Sequence, residues 1–179
     1  MTSSGSLPSL SVALLLAFLL AACVSDWRSR RIPNPLVLLG LVSSWLMASA
    51  GLSQVSLLQA LLGSVLGVAL FLPLYALKMV GAGDAKLLSL VGGFVGAVAV
   101  AWIALYTLIA GGALALLMLL IFGGWRSTWA RLSSLAQALF ARLGGAPVPV
   151  IDSSTTIRLP YALAIAAGSL TWLLAGAIR

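Results

Sequence analysis

Long apolar runs, interrupted by short clusters of polar and basic residues, organise this chain from end to end. The first covers about residues 9–25, the second 36–52 and the third 56–77. No charged residue occurs from Leu87 to Gly124, a stretch long enough for two helices with a turn near Val98–Trp102. A last run covers 160–178. Periodicity cannot separate helix from strand in runs so uniformly apolar, but their length can. A bilayer core about 30 Å thick is crossed by roughly 20 helical residues. The pattern therefore predicts an all-α, polytopic membrane protein with about six transmembrane helices. Between the fifth and sixth, Trp125, Trp129, Leu132, Leu135, Ala136, Leu139 and Leu143 share one face at helical spacing. Arg126, Ser134 and Gln137 lie opposite, with Arg131 and Arg142 at the edge. This spacing predicts one amphipathic helix lying in the membrane interface, with a plain loop helix as the other reading. The Gly and Pro residues of 144–149 end it.

Composition sharpens this picture. The chain is 62% hydrophobic and only 7% charged, with a mean hydropathy of +1.18. Soluble domains carry about 25% charged residues, so these residues cannot clothe a soluble fold of this size. The whole chain, residues 1–179, reads as a single membrane-embedded domain.

Ten Lys and Arg stand against three acids, a net charge of +7. The basic residues sit in loops rather than in one patch, which fits the positive-inside bias better than a nucleic-acid surface. Arg28, Arg30 and Arg31 follow the first run, Lys78 and Lys86 flank the loop after the third, and Arg126, Arg131, Arg142 and Arg158 follow the fifth. With six helices these residues share one side, which must be cytoplasmic, and Arg179 lies opposite. Both termini are then outside. Trp45, Trp102, Trp125, Trp129 and Trp172 are expected in interfacial belts. There is no His and one Cys, which excludes an intrachain disulfide and a Cys/His zinc site. No cofactor and no metal are expected. Leu20-Ala21-Ala22-Cys23 is like the cleavage box of a bacterial lipoprotein signal. Such a signal needs a basic start, which residues 1–10 lack, so Cys23 is read as a small buried residue.

The acids are Asp26, Asp84 and Asp152, with no Glu, so acid–base chemistry has few candidates. The topology, built from Lys and Arg alone, places Asp26 and Asp84 at one membrane face, one where the first helix leaves the bilayer and the other at the start of the fourth. A carboxylate near a bilayer core costs about 2.5–3.5 kcal/mol on insertion scales, which marks it as functional by default. Position alone does not decide between a working pair and two interface anchors. The flanks add information. Asp84 lies in Gly81-Ala82-Gly83-Asp84-Ala85-Lys86-Leu87. Glycines at 81 and 83 permit backbone angles closed to other residues and close approach of another chain. Asp26 is followed by Trp27-Arg28-Ser29-Arg30-Arg31-Ile32-Pro33-Asn34, where Pro33 and Pro35 are expected to stop the first helix. Asp152, in Asp152-Ser153-Ser154-Thr155-Thr156, reads as a solvated turn or helix cap.

An Asp, a basic stretch, Ile-Pro-Asn, and later Gly-x-Gly-Asp-x-Lys-Leu together resemble the type IV prepilin peptidases. The resemblance spans most of the chain, since Leu159-Pro160-Tyr161-Ala162, Ala164-Ile165-Ala166 and Gly168 also fit. It implies a membrane aspartic endopeptidase that removes the short leader from prepilins or pilin-like proteins, with Asp26 and Asp84 as the catalytic pair. Gly81, Gly83, Lys86, Pro33, Asn34 and Tyr161 are the residues expected to shape the site or contact substrate. A Lys86 beside the pair would favour both carboxylates ionised; it is expected instead to face the lipid headgroups. Larger members carry Cys-x-x-Cys pairs and also methylate the processed pilin. With one Cys and a first helix near residue 9, this chain is expected to lack that half and to resemble the short members of tight-adherence (Flp) pili. A short archaeal preflagellin peptidase is a related possibility. The implied partners are a prepilin helix and the lipid bilayer, the implied location the bacterial inner membrane. Two other classes compete: a small ion- or proton-coupled transporter, which needs a carboxylate near the midplane, and a non-enzymatic pilus assembly factor.

Overall fold

The computed structural model describes residues 7–77, 80–122 and 161–177. Six helices and no strand occur among the described residues: α1 Leu7–Ser29, α2 Asn34–Ser49, α3 Leu57–Ala76, α4 Ala82–Val95, α5 Ala97–Phe122 and α6 Tyr161–Ala177. The expected amphipathic helix, Lys78, Asp152, Arg158 and Arg179 lie outside the described residues. The chain divides into two compact units, Met1–Gly111 with Pro160–Arg179, and Gly112–Leu159. The second is described only over the C-terminal part of α5.

The helix ends follow local chemistry. Helix α1 runs past the apolar stretch to Ser29 and stops where Arg30 adopts φ +50°, the left-handed conformation that closes many helices. The Ser25 hydroxyl donates to the Arg31 carbonyl at 2.9 Å and tightens that turn. The proline stop expected from sequence is thus displaced. Pro33 instead caps α2 and Pro35 sits in its first turn, where a missing N–H costs nothing. Ser56 caps α3 by accepting from the Gln59 amide. The break in the long apolar stretch falls at Gly96, with φ +83°, and not at Val98–Trp102, which is helical. Glycine alone takes that angle without strain, so one residue suffices to end α4 and begin α5.

Three helices, α1, α3 and α5, are long and apolar enough to cross a membrane. Helices α2 and α6 are apolar but shorter. Helix α4 has 14 residues, about 21 Å at 1.5 Å per residue and less than a bilayer core. It is instead the buried centre of its unit: Leu87, Leu88, Leu90 and Val91 are fully enclosed. The neighbouring helices show leucines outward, among them Leu38, Leu39, Leu58 and Leu62, as lipid-facing surfaces do.

Helix α4 packs most extensively on α3, and the contact is backbone on backbone. A Cβ at Gly63 would meet the Gly92 carbonyl, one at Gly92 the Gly63 carbonyl, and one at Gly67 would lie 2.6 Å from the Leu88 carbonyl oxygen. Small residues allow this approach, which membrane helices use because lipid offers them no hydrophobic drive to associate. Ser89 Oγ then reaches across to donate to the Ser64 carbonyl at 2.8 Å. Trp45 donates from Nε1 to Ser64 Oγ at 3.1 Å and is half-buried. That bond ties α2 to the same stretch of α3.

Backbone atoms cannot yield as a flexible side chain does. Gly92→Ala is therefore expected to lower stability by about 1–3 kcal/mol, the range for overpacking. At Gly112, nothing lies within 4 Å of an added Cβ, so Gly112→Ala is expected to be neutral or slightly stabilising. Thermal unfolding of the two variants in detergent checks the contrast.

Candidate functional site

Two segments distant in sequence meet at one end of the larger unit. The turn after α1 brings Ile32 against α4, where a Cβ on Gly83 would lie 3.3 Å from Ile32 Cβ. One helical turn on, Lys86 Nζ donates to Asn34 Oδ1 at 2.9 Å. The Ile-Pro-Asn stretch and the Gly-x-Gly-Asp-x-Lys stretch are thus in direct contact. Those contacts hold the C-terminal turn of α1 and the N-terminal turn of α4 side by side.

Asp26 and Asp84 are both buried there, at 8% and 9% exposure. Asp84 is the third residue of α4, and its Oδ2 accepts the Gly81 N–H at 2.9 Å. Asp26 lies in the last turn of α1, inside the helix rather than at its exit, and its Oδ2 accepts the Ala162 N–H at 3.3 Å. Gly81 is the N-cap of α4 and Ala162 lies in the first turn of α6, positions whose amides have no partner within their own helices. Each carboxylate therefore sits at a helix N-terminus, where the macrodipole favours negative charge. Asp26 also lies within electrostatic reach of Asp84. Like charges in such proximity resist joint ionisation, so a pair of this kind favours a shared proton.

The glycines serve otherwise than expected. Gly81 has φ −80° and ψ 156°, extended backbone open to any residue. Its smallness is what counts, because a Cβ there would stand 3.2 Å from Asp84 Oδ2. Gly83 similarly makes room for Ile32. Pro33 sets the direction in which the chain leaves this turn for α2. Lys86 is exposed and lies two residues past Asp84, about 200° around the helix. It is bonded to Asn34 on the face away from Asp84, which removes it as a direct partner of that carboxylate.

Tyr161 opens α6 and reaches the site. Its ring lies edge-on to Phe71, centroids 6.1 Å apart, and its phenol is within electrostatic reach of Asp84. The Ala162 amide was not singled out by sequence, although Pro160 directly before Tyr161 is a helix-start signal. Cys23, one turn before Asp26, is half-buried and donates from Sγ to the Ala162 carbonyl at 3.5 Å. Asp26 and Cys23 thus grip the first turn of α6 through the two main-chain groups of Ala162.

Asparagine retains an acceptor oxygen at either position. Asp26→Asn and Asp84→Asn are expected to unfold within a few degrees of the unsubstituted protein. Asp84→Ala, which strips the Gly81 amide of its acceptor, is expected to lose about 1 kcal/mol. Thermal unfolding in detergent separates the structural share of each carboxylate from any chemical one.

No curated protein and no solved structure matches this chain. The sequence model of the type IV leader peptidase family does, over residues 13–116. That stretch runs from within α1 to within α5 and holds both buried carboxylates and the two motifs that bring them together. The multi-pass helical protein described above is a member of the type IV leader peptidase family.

Proposed function

We propose that this protein is an aspartic endopeptidase that removes the short leader from prepilins or pilin-like proteins, with Asp26 and Asp84 as its catalytic pair. One observation carries the reading. Two buried carboxylates, brought from separate motifs, lie within electrostatic reach of each other at one end of the helices. Two carboxyl groups that share a proton can hydrolyse an amide without further help. The ionised member takes a proton from water as the water oxygen attacks the carbonyl carbon. The protonated member donates a hydrogen bond to the carbonyl oxygen and stabilises the tetrahedral intermediate. Proton transfer to the leaving nitrogen then breaks the C–N bond. The pair titrates as a unit, so neither role belongs permanently to one residue.

The arrangement suits a substrate that is itself a membrane helix. Both carboxylates lie in end turns of their helices. The basic residues Arg28, Arg30, Arg31 and Lys86 cluster at the same end, which the positive-inside rule assigns to the cytoplasm. A prepilin inserted with its leader in the cytoplasm presents its scissile bond at that depth. Lys86 and Asn34 tie the two motifs together, Gly81 and Gly83 leave room for the Asp84 carboxylate and for Ile32, and Tyr161 lines the approach. This reading places the protein in the bacterial inner membrane, with both termini outside and the short Flp-type pilins as substrates. Its partners are then the prepilin helix and the bilayer, and not nucleic acid. End-turn carboxylates also favour hydrolysis over transport, which calls for a charge near the midplane.

Co-expression with an Flp-type prepilin tests the proposal, with leader removal followed by the change in pilin size. The unsubstituted protein is expected to cleave. Asp26→Asn and Asp84→Asn are each expected to lose at least about 100-fold in rate, the lower range for a positioned acid or base. Cleavage by either variant at the unsubstituted rate would remove that aspartate from the mechanism. Failure of the unsubstituted protein on several prepilins would turn attention to ion flux.

A further inference from the structure

A groove of about 510 Å³ lies between α2, α3 and α4. Its walls include Leu38 and Leu41 of α2, Val68 of α3 and Ser89 of α4, and its mouth holds Asn34 and Lys86. We propose that this groove is a binding site for one anionic phospholipid, with the Lys86 ammonium on the phosphate and an acyl chain lying along α2.

The lining has a polar and an apolar part. Asn34 opens α2 and Lys86 is the fifth residue of α4, both at the basic end. From Asn34 to Leu41 the wall climbs seven residues, about 10 Å along the helix. The one other polar side chain on the wall, Ser89, has its hydroxyl engaged with the Ser64 carbonyl. The groove therefore takes a ligand with an anionic head and a hydrocarbon body. An ammonium has three N–H donors. One goes to Asn34, and no second partner is present among the described residues. Two donors remain for a phosphate oxygen, and the lysine supplies the only charge among the described lining residues.

Size and direction distinguish this occupant from a protein helix. A transmembrane helix about 10 Å wide and 30 Å long encloses roughly 2,400 Å³, several times the groove. Ligand pockets of single small molecules run to about 300–1,000 Å³. Lys86 also faces away from Asp84 around α4, so a bond held at the carboxylates is not held by this groove. The lipid would instead brace the Asn34–Lys86 contact that ties the two motifs together.

The test uses the full chain in nanodiscs of phosphatidylcholine with added phosphatidylglycerol, reading by mass spectrometry the lipid retained after transfer to detergent. Phosphatidylglycerol is expected to be retained over phosphatidylcholine. Lys86→Gln is expected to lower that retention about fivefold, the weight of one lysine at an anionic surface, and Lys86→Arg to preserve it. Leu38→Trp fills the groove while leaving the ammonium in place, and is expected to lower retention as well. Equal retention of the two lipids by the unsubstituted protein would overturn the proposal. So would unchanged phosphatidylglycerol in both Lys86→Gln and Leu38→Trp. A photoreactive group at position 38 that captures co-expressed prepilin in place of lipid would reassign the groove to substrate and equally overturn it. Lipid is the readout, so loss of the peptidase reading would leave this result standing.

Discussion

Helices in a bilayer gain nothing by hiding apolar side chains from lipid, so something else must bring them together. Here it is the backbone contact of α3 with α4 through Gly63, Gly67 and Gly92. That contact lets a helix of 14 residues sit at the centre of its unit, enclosed on nearly every face. Because α4 is held there, its N-terminal turn arrives beside the last turn of α1. Asp84 then lies near Asp26. The Ser89–Ser64 and Trp45–Ser64 hydrogen bonds fix the same interface along the helix axis, and with it the depth at which the carboxylate is presented.

The second constraint is electrostatic. A carboxylate removed from water is costly unless its oxygens are met by donors. Each aspartate solves this with an N–H from a helix N-terminus, Gly81 for Asp84 and Ala162 for Asp26. One amide does not satisfy an anion with four lone-pair sites, and the two groups repel one another when both are charged. Under the proposed reading, that repulsion is what would let the pair hold one proton and pass it on.

Much of this was legible in the residues. Charge scarcity and run length pointed to membrane helices. The basic residues, taken alone, predicted that Asp26 and Asp84 share a face, and the two motifs meet through Ile32–Gly83 and Asn34–Lys86. What could not be read has physical causes. The helix junction at Gly96 depends on one backbone angle, and the thirteen other glycines and alanines of residues 87–124 leave no contrast to mark it. The end of α1 was displaced from Pro33 to Arg30 because a left-handed residue is set by local hydrogen bonds rather than by residue type. By sequence Gly81 suggests unusual backbone angles, yet it matters for its missing side chain, which only the position of the Asp84 carboxylate reveals. The Ala162 amide is a main-chain group, invisible to any reading of side chains.

The central claim is that Asp26 lies close enough to Asp84 to act on its charge. With only three acids in the chain, carbon-13 labelling of aspartate gives three carboxyl resonances, assignable by substitution. Their titration in detergent micelles tests the claim most directly. Asp26→Asn is predicted to lower the midpoint of Asp84, and Asp152→Asn to leave it unchanged. An Asp84 curve unmoved by Asp26→Asn would mean two independent helix caps, and would contradict the claim.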